Sequence, residues 1–296
     1  MKILVTGATG YIGKEFVKHM QKKYDLIALL RKSSDVSQLN NVDCEILRFT
    51  KYQEIPNLLK NKKIDGVVHF ASYVIGEHNL NDLDKLIESN IKFGTYLLEA
   101  CKQLEIGWFI NTGTFWQHYQ NEEYNPVNLY AATKEAFECI AKYYTETSDL
   151  VFTTIKLNDT FGPNDPRPKI MNLWDEYSQT GEELNMTSGE QIIDIVFVED
   201  VINAYEVMIQ HLISSKKKTF QHKSYAVSSK EKVTLKELAQ LFQKVTGEKV
   251  NINWGKKPYK EREVMSPWEP TELVPGWEQK YSLQEGIKIS YNDMQR

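Results

Sequence analysis

Runs of aliphatic and β-branched residues alternate in the first half of the chain with segments whose apolar residues recur every three or four positions. Short apolar runs are typical of buried strands, and the longer spacing is typical of helices. The runs predict strands at Ile3–Thr6, Leu26–Leu30, Cys44–Leu47, Gly66–Phe70, Trp108–Asn111 and Val151–Leu157. The spacing predicts helices at Tyr11–Lys23, Leu83–Leu104 and Leu129–Thr145. This alternation favours a doubly wound α/β fold with a parallel sheet.

The alternation breaks after residue 157, in a stretch rich in Gly, Pro, Asn and Asp. Beyond it, the apolar run Ile192–Val198 precedes a helix that Asp200 is expected to cap, and Tyr225–Val227 is a predicted strand. Another helix is predicted at Thr234–Thr246, with Thr234 as its cap and Glu237 completing a capping box. The second half therefore mixes late strands of the sheet with helices of a different unit.

Two structural units are expected from this change of pattern. A sheet domain is predicted at residues 1–163 and about 191–228, and a smaller lobe at about 164–190 and 229–296. The lysine triplet at 216–218 is expected to be a solvated loop.

Charge and composition narrow the possible partners. The 296 residues include 36 Lys and Arg against 40 Asp and Glu, a net charge of −4 that argues against a nucleic-acid partner. The chain has no apolar run near the roughly 20 residues of a membrane span, and no apolar export signal at MKILVTGATG. Cys44, Cys101 and Cys139 form neither a metal spacing nor a disulfide framework. We expect a cytoplasmic protein with no metal.

A glycine-rich turn, Gly7-Ala8-Thr9-Gly10-Tyr11-Ile12-Gly13, joins the first predicted strand to the first helix. Such a turn lets the backbone approach a pyrophosphate, whose oxygens bind the free N–H groups of the helix N-terminus. The placement predicts a Rossmann dinucleotide site. Its expected cofactor contacts are Thr6, Gly7, Thr9, Gly10, Tyr11, Ile12 and Gly13.

The end of the second strand bears on the choice between NAD and NADP. NAD sites carry a carboxylate there for the ribose 2′-OH, whereas Arg31, Lys32 and Ser33 stand at this position. Arg31, together with Lys32, Ser33 or Ser34, can hold a 2′-phosphate through charge-assisted hydrogen bonds. NADP(H) is therefore favoured, and NAD(H) remains the alternative if the basic side chains are only solvated.

Tyr130 and Lys134 lie four residues apart, which places them on one face of a helix. A phenol with a pKa near 10 is a poor acid or base at neutral pH unless a neighbouring ammonium favours the phenolate. Lys134 is expected to supply that charge. The strand end at residues 111–114 adds the hydroxyls of Thr112 and Thr114.

Together the glycine turn, the threonine-bearing strand end and the Tyr-x-x-x-Lys segment resemble the extended short-chain dehydrogenase/reductases of the NAD-dependent epimerase/dehydratase family. The resemblance implies that Thr112, Tyr130 and Lys134 are catalytic. It also implies that Phe70, Ala71, Tyr130 and Lys134 contact the cofactor, because His69-Phe70-Ala71-Ser72 is similar to the family's HxAA segment. The family's 4,6-dehydratases carry Asp-Glu where Gly113 and Thr114 stand here, which argues against elimination.

The segments NLYAATKEAFE and LNDTFGPNDPRPKI resemble, within this family, the CDP-abequose and CDP-paratose synthases. Those enzymes reduce C4 of CDP-4-keto-3,6-dideoxyglucose with NADPH. The resemblance implies that the smaller lobe binds a nucleotide sugar. The expected contacts are Thr114, Asn158, Arg167, Lys169 and Arg262. Arg262 is the favoured phosphate contact because a guanidinium matches phosphate geometry, although each cation can equally be a surface or packing residue.

Three functions remain open. The first is an NADPH-dependent nucleotide-sugar 4-ketoreductase, and the second is an NAD-dependent 4-epimerase of a nucleotide sugar. The third is a cofactor-sensing protein without catalysis, against which the intact Thr112, Tyr130 and Lys134 count. The stereochemistry at C4 and the nucleotide base remain undetermined. Family resemblance implies a homodimer formed through helices that include the Tyr130 helix.

Overall fold

The structure is a computed structural model that describes residues 1–214 and 217–292. Lys216, which belongs to the lysine triplet, lies outside the described residues. The strands are β1 Lys2–Thr6, β2 Asp25–Arg31, β3 Glu45–Phe49, β4 Gly66–His69, β5 Trp108–Thr114, β6 Val151–Leu157, β7 Asp159–Phe161, β8 Glu183–Asn185, β9 Ile192–Ile193, β10 Ile195–Phe197, β11 Ser224–Val227, β12 Val233–Thr234 and β13 Asn251–Asn253. The α-helices are α1 Tyr11–Met20, α2 Ile55–Leu59, α3 Leu83–Ile87, α4 Phe93–Gln103, α5 Leu129–Glu146, α6 Ile170–Thr180, α7 Val198–Leu212, α8 Leu235–Thr246 and α9 Leu283–Asn292.

Seven strands of the described residues form one parallel sheet in the order β11-β6-β5-β4-β1-β2-β3. The prediction of a doubly wound parallel sheet is confirmed. The strand order reverses between β1 and β4, where Thr6 pairs with His69. In sheets of this kind, ligands bind in the crevice outside the carboxyl ends of the strands at such a reversal.

Apolar side chains pack on both faces of this sheet. On one face, Phe16 of α1 and Tyr205 of α7 lie in a buried cluster, and on the other face Leu97 of α4 and Phe137 of α5 lie in a second cluster. A third buried cluster joins α6, α8 and α9 through Trp174, Phe242 and Ile287. Because the third cluster is built from late elements, the end of the chain has an apolar core of its own beside the sheet.

Several predicted elements differ from the observed ones in ways that bear on the site. The single helix predicted at Leu83–Leu104 is α3 and α4 joined by a π-helical turn at Glu88–Lys92. Strand β5 continues to Thr114, because β6 pairs with it as far as Leu157. No helix in the described part of the chain is both long and apolar enough to cross a membrane.

The two predicted helix caps have opposite outcomes. Thr234 caps α8, and its hydroxyl and the Glu237 carboxylate form the expected capping box. The prediction for Asp200 is wrong, because Phe197 occupies the cap position of α7. Asp200 lies in the first turn instead, where its carboxylate accepts hydrogen bonds from the backbone N–H groups of Lys280 and Tyr281. It therefore ties α7 to the chain just before α9.

Candidate active site

A cleft of about 410 Å³ opens at the carboxyl ends of the central strands. Its walls include the glycine turn, the end of β5 and Tyr130 of α5. A second cavity of about 260 Å³ adjoins it beyond Gly10 and runs towards Arg31. The pair of cavities has the size and position of an enzyme cleft at a topological switch point.

The glycine turn is packed too tightly for any side chain at its first glycine. Gly7 has φ +69°, and a Cβ there would lie 2.6 Å from the backbone nitrogen of Ala71. A Cβ at Gly13 would lie 2.2 Å from the carbonyl oxygen of Gly7. Gly10 occupies the cap position of α1, no described side chain caps that helix, and its first turn carries no acidic residue. The backbone N–H groups of this helix N-terminus fit a pyrophosphate.

The structure brings together most of the predicted cofactor residues. Gly7, Thr9, Gly10 and Phe70 line both cavities. Tyr11, Ile12 and Gly13 line the larger cavity, and Arg31 and Ala71 the smaller one. Thr6 lies beneath the turn, where its hydroxyl is 2.8 Å from Nδ1 of His69 and accepts a hydrogen bond from the Ala71 N–H.

Lys32 and Ser33, which were predicted to contact the cofactor, line neither of these two cavities. The backbone of Lys32 continues along β3 and donates to the carbonyl of Phe49, while Arg48 donates to the carbonyls of Lys32 and Ser34. This bracing turns the chain so that Ser34, rather than Ser33, lies beside Arg31 at the cavity wall. Arg31 and Ser34 are therefore the polar pair at this end of the site.

Tyr130 is buried at the start of α5, a helix capped by the Asn128 side chain. Burial raises the pKa of Tyr130 to about 12, against the smaller lowering effect of hydrogen bonding with Ser72 and Thr114. The expected lowering of this pKa by Lys134 is wrong, because the effect of burial is dominant. The phenol keeps its proton at neutral pH, which is the form a proton donor needs.

Lys134 is fully buried one turn further along α5. Burial lowers the pKa of its ammonium to about 8, and the nearby charge of Glu138 opposes that shift. The pKa of His69 is well below its ordinary value, since the imidazole is buried and Lys134 adds a positive charge nearby. His69 is packed among Phe93, Phe109 and Phe137, which gives it a structural role.

The hydroxyls of Thr112 and Thr114 both line the larger cleft. Thr112 Oγ1 lies 2.6 Å from the hydroxyl of Tyr205 on α7. Ser72 also lines the cleft and was missed by the sequence analysis, although it ends the His69-Phe70-Ala71-Ser72 segment. Asn90, in the π-helical turn, accepts hydrogen bonds from Ser72 and from the Tyr73 N–H.

Four of the five predicted substrate residues line the larger cleft: Thr114, Asn158, Arg167 and Lys169. Asn158 is buried, and its Oδ1 has no partner among the described residues. The guanidinium of Arg167 donates two hydrogen bonds to Asp165, and Lys169 Nζ lies 2.6 Å from Asp159 Oδ1.

Arg262 lies outside the larger cleft, in a neighbouring cavity of about 180 Å³. The two cavities share Phe115, Trp116 and Asp159. The guanidinium of Arg262 stacks 4.3 Å from the ring centre of Tyr119 and donates to Asn125.

A buried polar group behind α5 was also missed by the sequence analysis. Nζ of Lys156 lies 2.7 Å from Nε2 of His118, whose ring stacks 4.1 Å from that of Trp268. Gln117 is buried beside them and contacts two glutamates of α5. Single polar residues in apolar surroundings carry no spacing signal, so sequence inspection alone could not have found this group.

Known proteins resemble this chain over most of its length. The profile of the NAD dependent epimerase/dehydratase family matches residues 3–221. A CDP-abequose synthase of Salmonella muenchen is 25% identical over 292 residues, covering 97% of this chain and 96% of that protein. A CDP-abequose synthase of Yersinia pseudotuberculosis is 26% identical over 268 residues, covering 90% and 92%. A solved UDP-glucose 4-epimerase of Thermotoga maritima, with UDP-glucose, has a TM-score of 0.85 at 22% identity and covers 100% of this chain and 99% of its own.

Proposed function

Because the chain belongs to the NAD-dependent epimerase/dehydratase family, we propose that it is a nucleotide-sugar 4-ketoreductase that uses NADPH. The substrate is CDP-4-keto-3,6-dideoxyglucose and the product is CDP-abequose or CDP-paratose. The observation that carries the proposal is the buried phenol of Tyr130, hydrogen-bonded with Thr114, in the cleft that Thr112 and the glycine turn also line. Two CDP-abequose synthases support this choice of substrate, since they align with at least 90% of this chain at 25% and 26% identity.

Tyr130 supplies the proton of the reduction. The nicotinamide, when bound, supplies a hydride to C4. Tyr130 then gives its phenolic proton to the C4 oxygen as the carbonyl becomes an alcohol, which is general acid catalysis. Ser72 and Thr114 stabilise the phenolate that remains by hydrogen bonding, and the buried Lys134 on the same face of α5 adds a positive charge to the site.

Thr112 and Thr114 stabilise the negative charge that develops on the C4 oxygen by donating hydrogen bonds to it. In this role Tyr205 donates to Thr112 Oγ1, which leaves the Thr112 proton free for the C4 oxygen. Since Tyr205 is completely buried, this orientation is fixed before the substrate binds. The strand end therefore presents hydroxyls that need no rearrangement during the reaction.

The substrate-binding residues are those that line the cleft. Asn158 contacts the sugar from the wall of the cleft that it lines. Arg167 and Lys169 exchange their carboxylate partners for the diphosphate, and Arg262 reaches it from the adjoining cavity.

Arg31 and Ser34 bind the 2′-phosphate of NADPH in this proposal. Arg31→Ala is expected to raise the KM for NADPH about tenfold or more and to leave the KM for NADH unchanged, since one charge-assisted contact is lost. Lys32→Ala is the matched control because Lys32 lies outside the cavities. Equal effects of the two substitutions, or equal effects on both cofactors, would contradict this assignment.

Loss of NADPH absorbance with CDP-4-keto-3,6-dideoxyglucose tests the activity, with NADH in a parallel reaction. Tyr130→Phe is expected to lower turnover at least about 100-fold while NADPH still binds, because the general acid is lost. Tyr143→Phe, on the same helix but 61% exposed, is the control and should leave turnover unchanged. Full turnover in Tyr130→Phe would rule out this mechanism.

The 4-epimerase is the second candidate, since it uses the same three side chains and the solved UDP-glucose 4-epimerase shares the fold. An NAD released on denaturing the protein, with no net consumption of NADPH, would support it over the reductase. We also propose that the protein is a cytoplasmic homodimer formed through α5, and light scattering of the purified protein measures its mass directly.

A further inference from the structure

The carboxamide of Gln117 connects the two elements that carry the catalytic side chains. Gln117 is completely buried in a short 3₁₀ turn that follows β5. Its Oε1 accepts the backbone N–H of Thr114 at 3.0 Å. Its Nε2 donates to Oε2 of Glu135 at 2.5 Å and to Oε1 of Glu138 at 3.0 Å. One side chain thus bonds the end of β5 and the side of α5 at the same time.

The α5 end of this connection lies on the catalytic face of the helix. Glu138 follows Lys134 by four residues and Tyr130 by eight, so the three side chains share one face. Glu138 is also the group whose charge supports the ammonium of Lys134. The β5 end is Thr114, whose hydroxyl is beside the phenol of Tyr130.

The hydrogen bonds of the Gln117 amide to the two glutamates are strong, and their loss would destabilise the protein. Hydrogen bonds to carboxylates are about twice as strong as those between neutral groups. Removing the amide would leave a buried N–H and two carboxylate oxygens without their partner, which costs about 1–3 kcal/mol per neutral group. Gly113 makes room for the amide, since a Cβ there would lie 3.0 Å from Gln117 Oε1.

We propose that Gln117 is a positioning residue, an amide clamp that holds the Thr112–Thr114 strand end at a fixed distance from Tyr130 and Lys134. The inference rests on the proposed function of that site. Gln117 does not line the cleft and acts only through Thr114 and Glu138. A displacement of about 1 Å in a catalytic group can lower a rate about 100-fold, so a clamp of this kind is expected to affect turnover more than binding.

Gln117→Met tests the clamp, because methionine has nearly the same shape and none of the amide's hydrogen bonds. We expect kcat to fall about 10- to 100-fold, with the KM for NADPH within twofold of the wild-type value and a cooperative unfolding transition. Gln103→Met is the matched control, since Gln103 is exposed on α4 and its amide bonds Glu99. A kcat within twofold of wild type in Gln117→Met would overturn the proposal.

Glu138 provides a rescue test that a merely structural role would not reproduce. Glu138→Gln keeps an oxygen that accepts the Gln117 bond, whereas Glu138→Leu does not. We expect Glu138→Gln to retain a severalfold higher kcat than Glu138→Leu, and this difference to disappear in the Gln117→Met background. Equal turnover of the two Glu138 variants with Gln117 intact would overturn the clamp. Should Gln117→Met fail to fold, Gln117→Asn shortens the amide's reach and carries the same expectation.

Different experimental results would contradict the clamp and the proposed function. If the wild-type protein oxidises no NADPH with the keto sugar, the reductase proposal fails. The clamp is then tested independently by measuring the rate of hydrogen–deuterium exchange at the backbone amides of residues 112–118. We expect exchange there to be at least tenfold faster in Gln117→Met than in the wild type or in Gln103→Met. Unchanged exchange would overturn the clamp whatever the substrate is.

Discussion

Burial moves the pKa values of Tyr130 and Lys134 in opposite directions. The phenol is raised to about 12 and the ammonium is lowered to about 8, because each loses the solvation of its charged form. The same burial that keeps the proton on Tyr130 therefore raises the free energy of the charged form of Lys134. This conflict between stability and chemistry is common at catalytic sites.

Lys134→Met is expected to stabilise the fold at neutral pH. The pKa of Lys134 in the folded protein, about 8, lies below its ordinary value of 10.5. Because the unfolded chain therefore holds this proton more tightly, the free energy of unfolding of the wild type rises with pH between those values. The substitution should raise the free energy of unfolding by about 3 kcal/mol at pH 7 and by about 1 kcal/mol at pH 9.5.

Urea denaturation at the two pH values measures this effect. Lys142→Met, at an exposed position of the same helix, is the control and should change stability by less than about 0.5 kcal/mol. A lower free energy of unfolding for Lys134→Met than for the wild type at pH 7, or a stabilisation that grows with pH, would contradict this explanation. The variant should also lose turnover, since the site then lacks the positive charge of Lys134 when the phenolate of Tyr130 forms.

At the scale of elements, the glycine turn joins β1 to α1 and presses against the chain after β4. Gly7 and Gly181 have nearly the same backbone conformation, with φ +69° and +71°. A Cβ at Gly7 would collide with the backbone of Ala71, whereas a Cβ at Gly181 would meet nothing within 4 Å. Alanine substitutions at the two glycines therefore separate the free-energy cost of the left-handed backbone conformation from that of the steric contact.

Gly7→Ala is expected to lower the free energy of unfolding about 1–3 kcal/mol more than Gly181→Ala, because only the first substitution forces two backbone segments apart. Gly181→Ala should cost about 1–2 kcal/mol, from the left-handed conformation alone. Urea denaturation gives both values. Titration of NADPH fluorescence should show weakened binding in Gly7→Ala only, and equal results in both variants would refute the packing argument.

Local patterns in the sequence predicted elements well where one physical rule acts alone. Apolar runs located the sheet strands to within a few residues, and the Thr234–Glu237 spacing located the start of α8. The π-helical turn at Glu88–Lys92 was not predicted, because its apolar spacing differs little from that of an α-helix. Asp200 was misread as a cap because its carboxylate bonds residues some 80 positions away, which no local pattern reports.

At the scale of the whole molecule, a C-terminal segment, residues 255–277, lies against the sheet domain near the cleft. Trp268 stacks on His118, Arg262 stacks on Tyr119, and Lys260 pairs with Glu77 at 2.9 Å. Sequence reasoning assigned Arg262 to the site but could not foresee its partners, because they come from distant parts of the chain. The segment therefore contacts the chain after β4 through Glu77, and the chain after β5 through His118 and Tyr119.

Trp268→Leu is expected to raise the KM for the nucleotide sugar about twofold to tenfold and to leave NADPH binding unchanged. An aromatic stack of this kind contributes about 0.5–1.5 kcal/mol, and its loss loosens the segment that carries Arg262. Trp254→Leu is the control, because Trp254 is partly buried and packs against the third apolar cluster. Steady-state kinetics with each substrate varied separately measures both effects, and a matching rise in the KM for NADPH would contradict the separation.

Side chains packed around Gly113 leave no room for a larger residue, which restricts how this position can evolve. A Cβ at this position would lie 2.8 Å from Thr154 Cγ2, 2.9 Å from Lys156 Cγ and 3.0 Å from Gln117 Oε1. An ancestor or descendant that placed an acid here, as the dehydratases of the family do, would need compensating replacements at the neighbouring positions first. The three neighbours are buried polar side chains, so each replacement alone disturbs a buried polar group. The acquisition of an acid at residue 113 is therefore contingent on earlier change among the side chains that surround it.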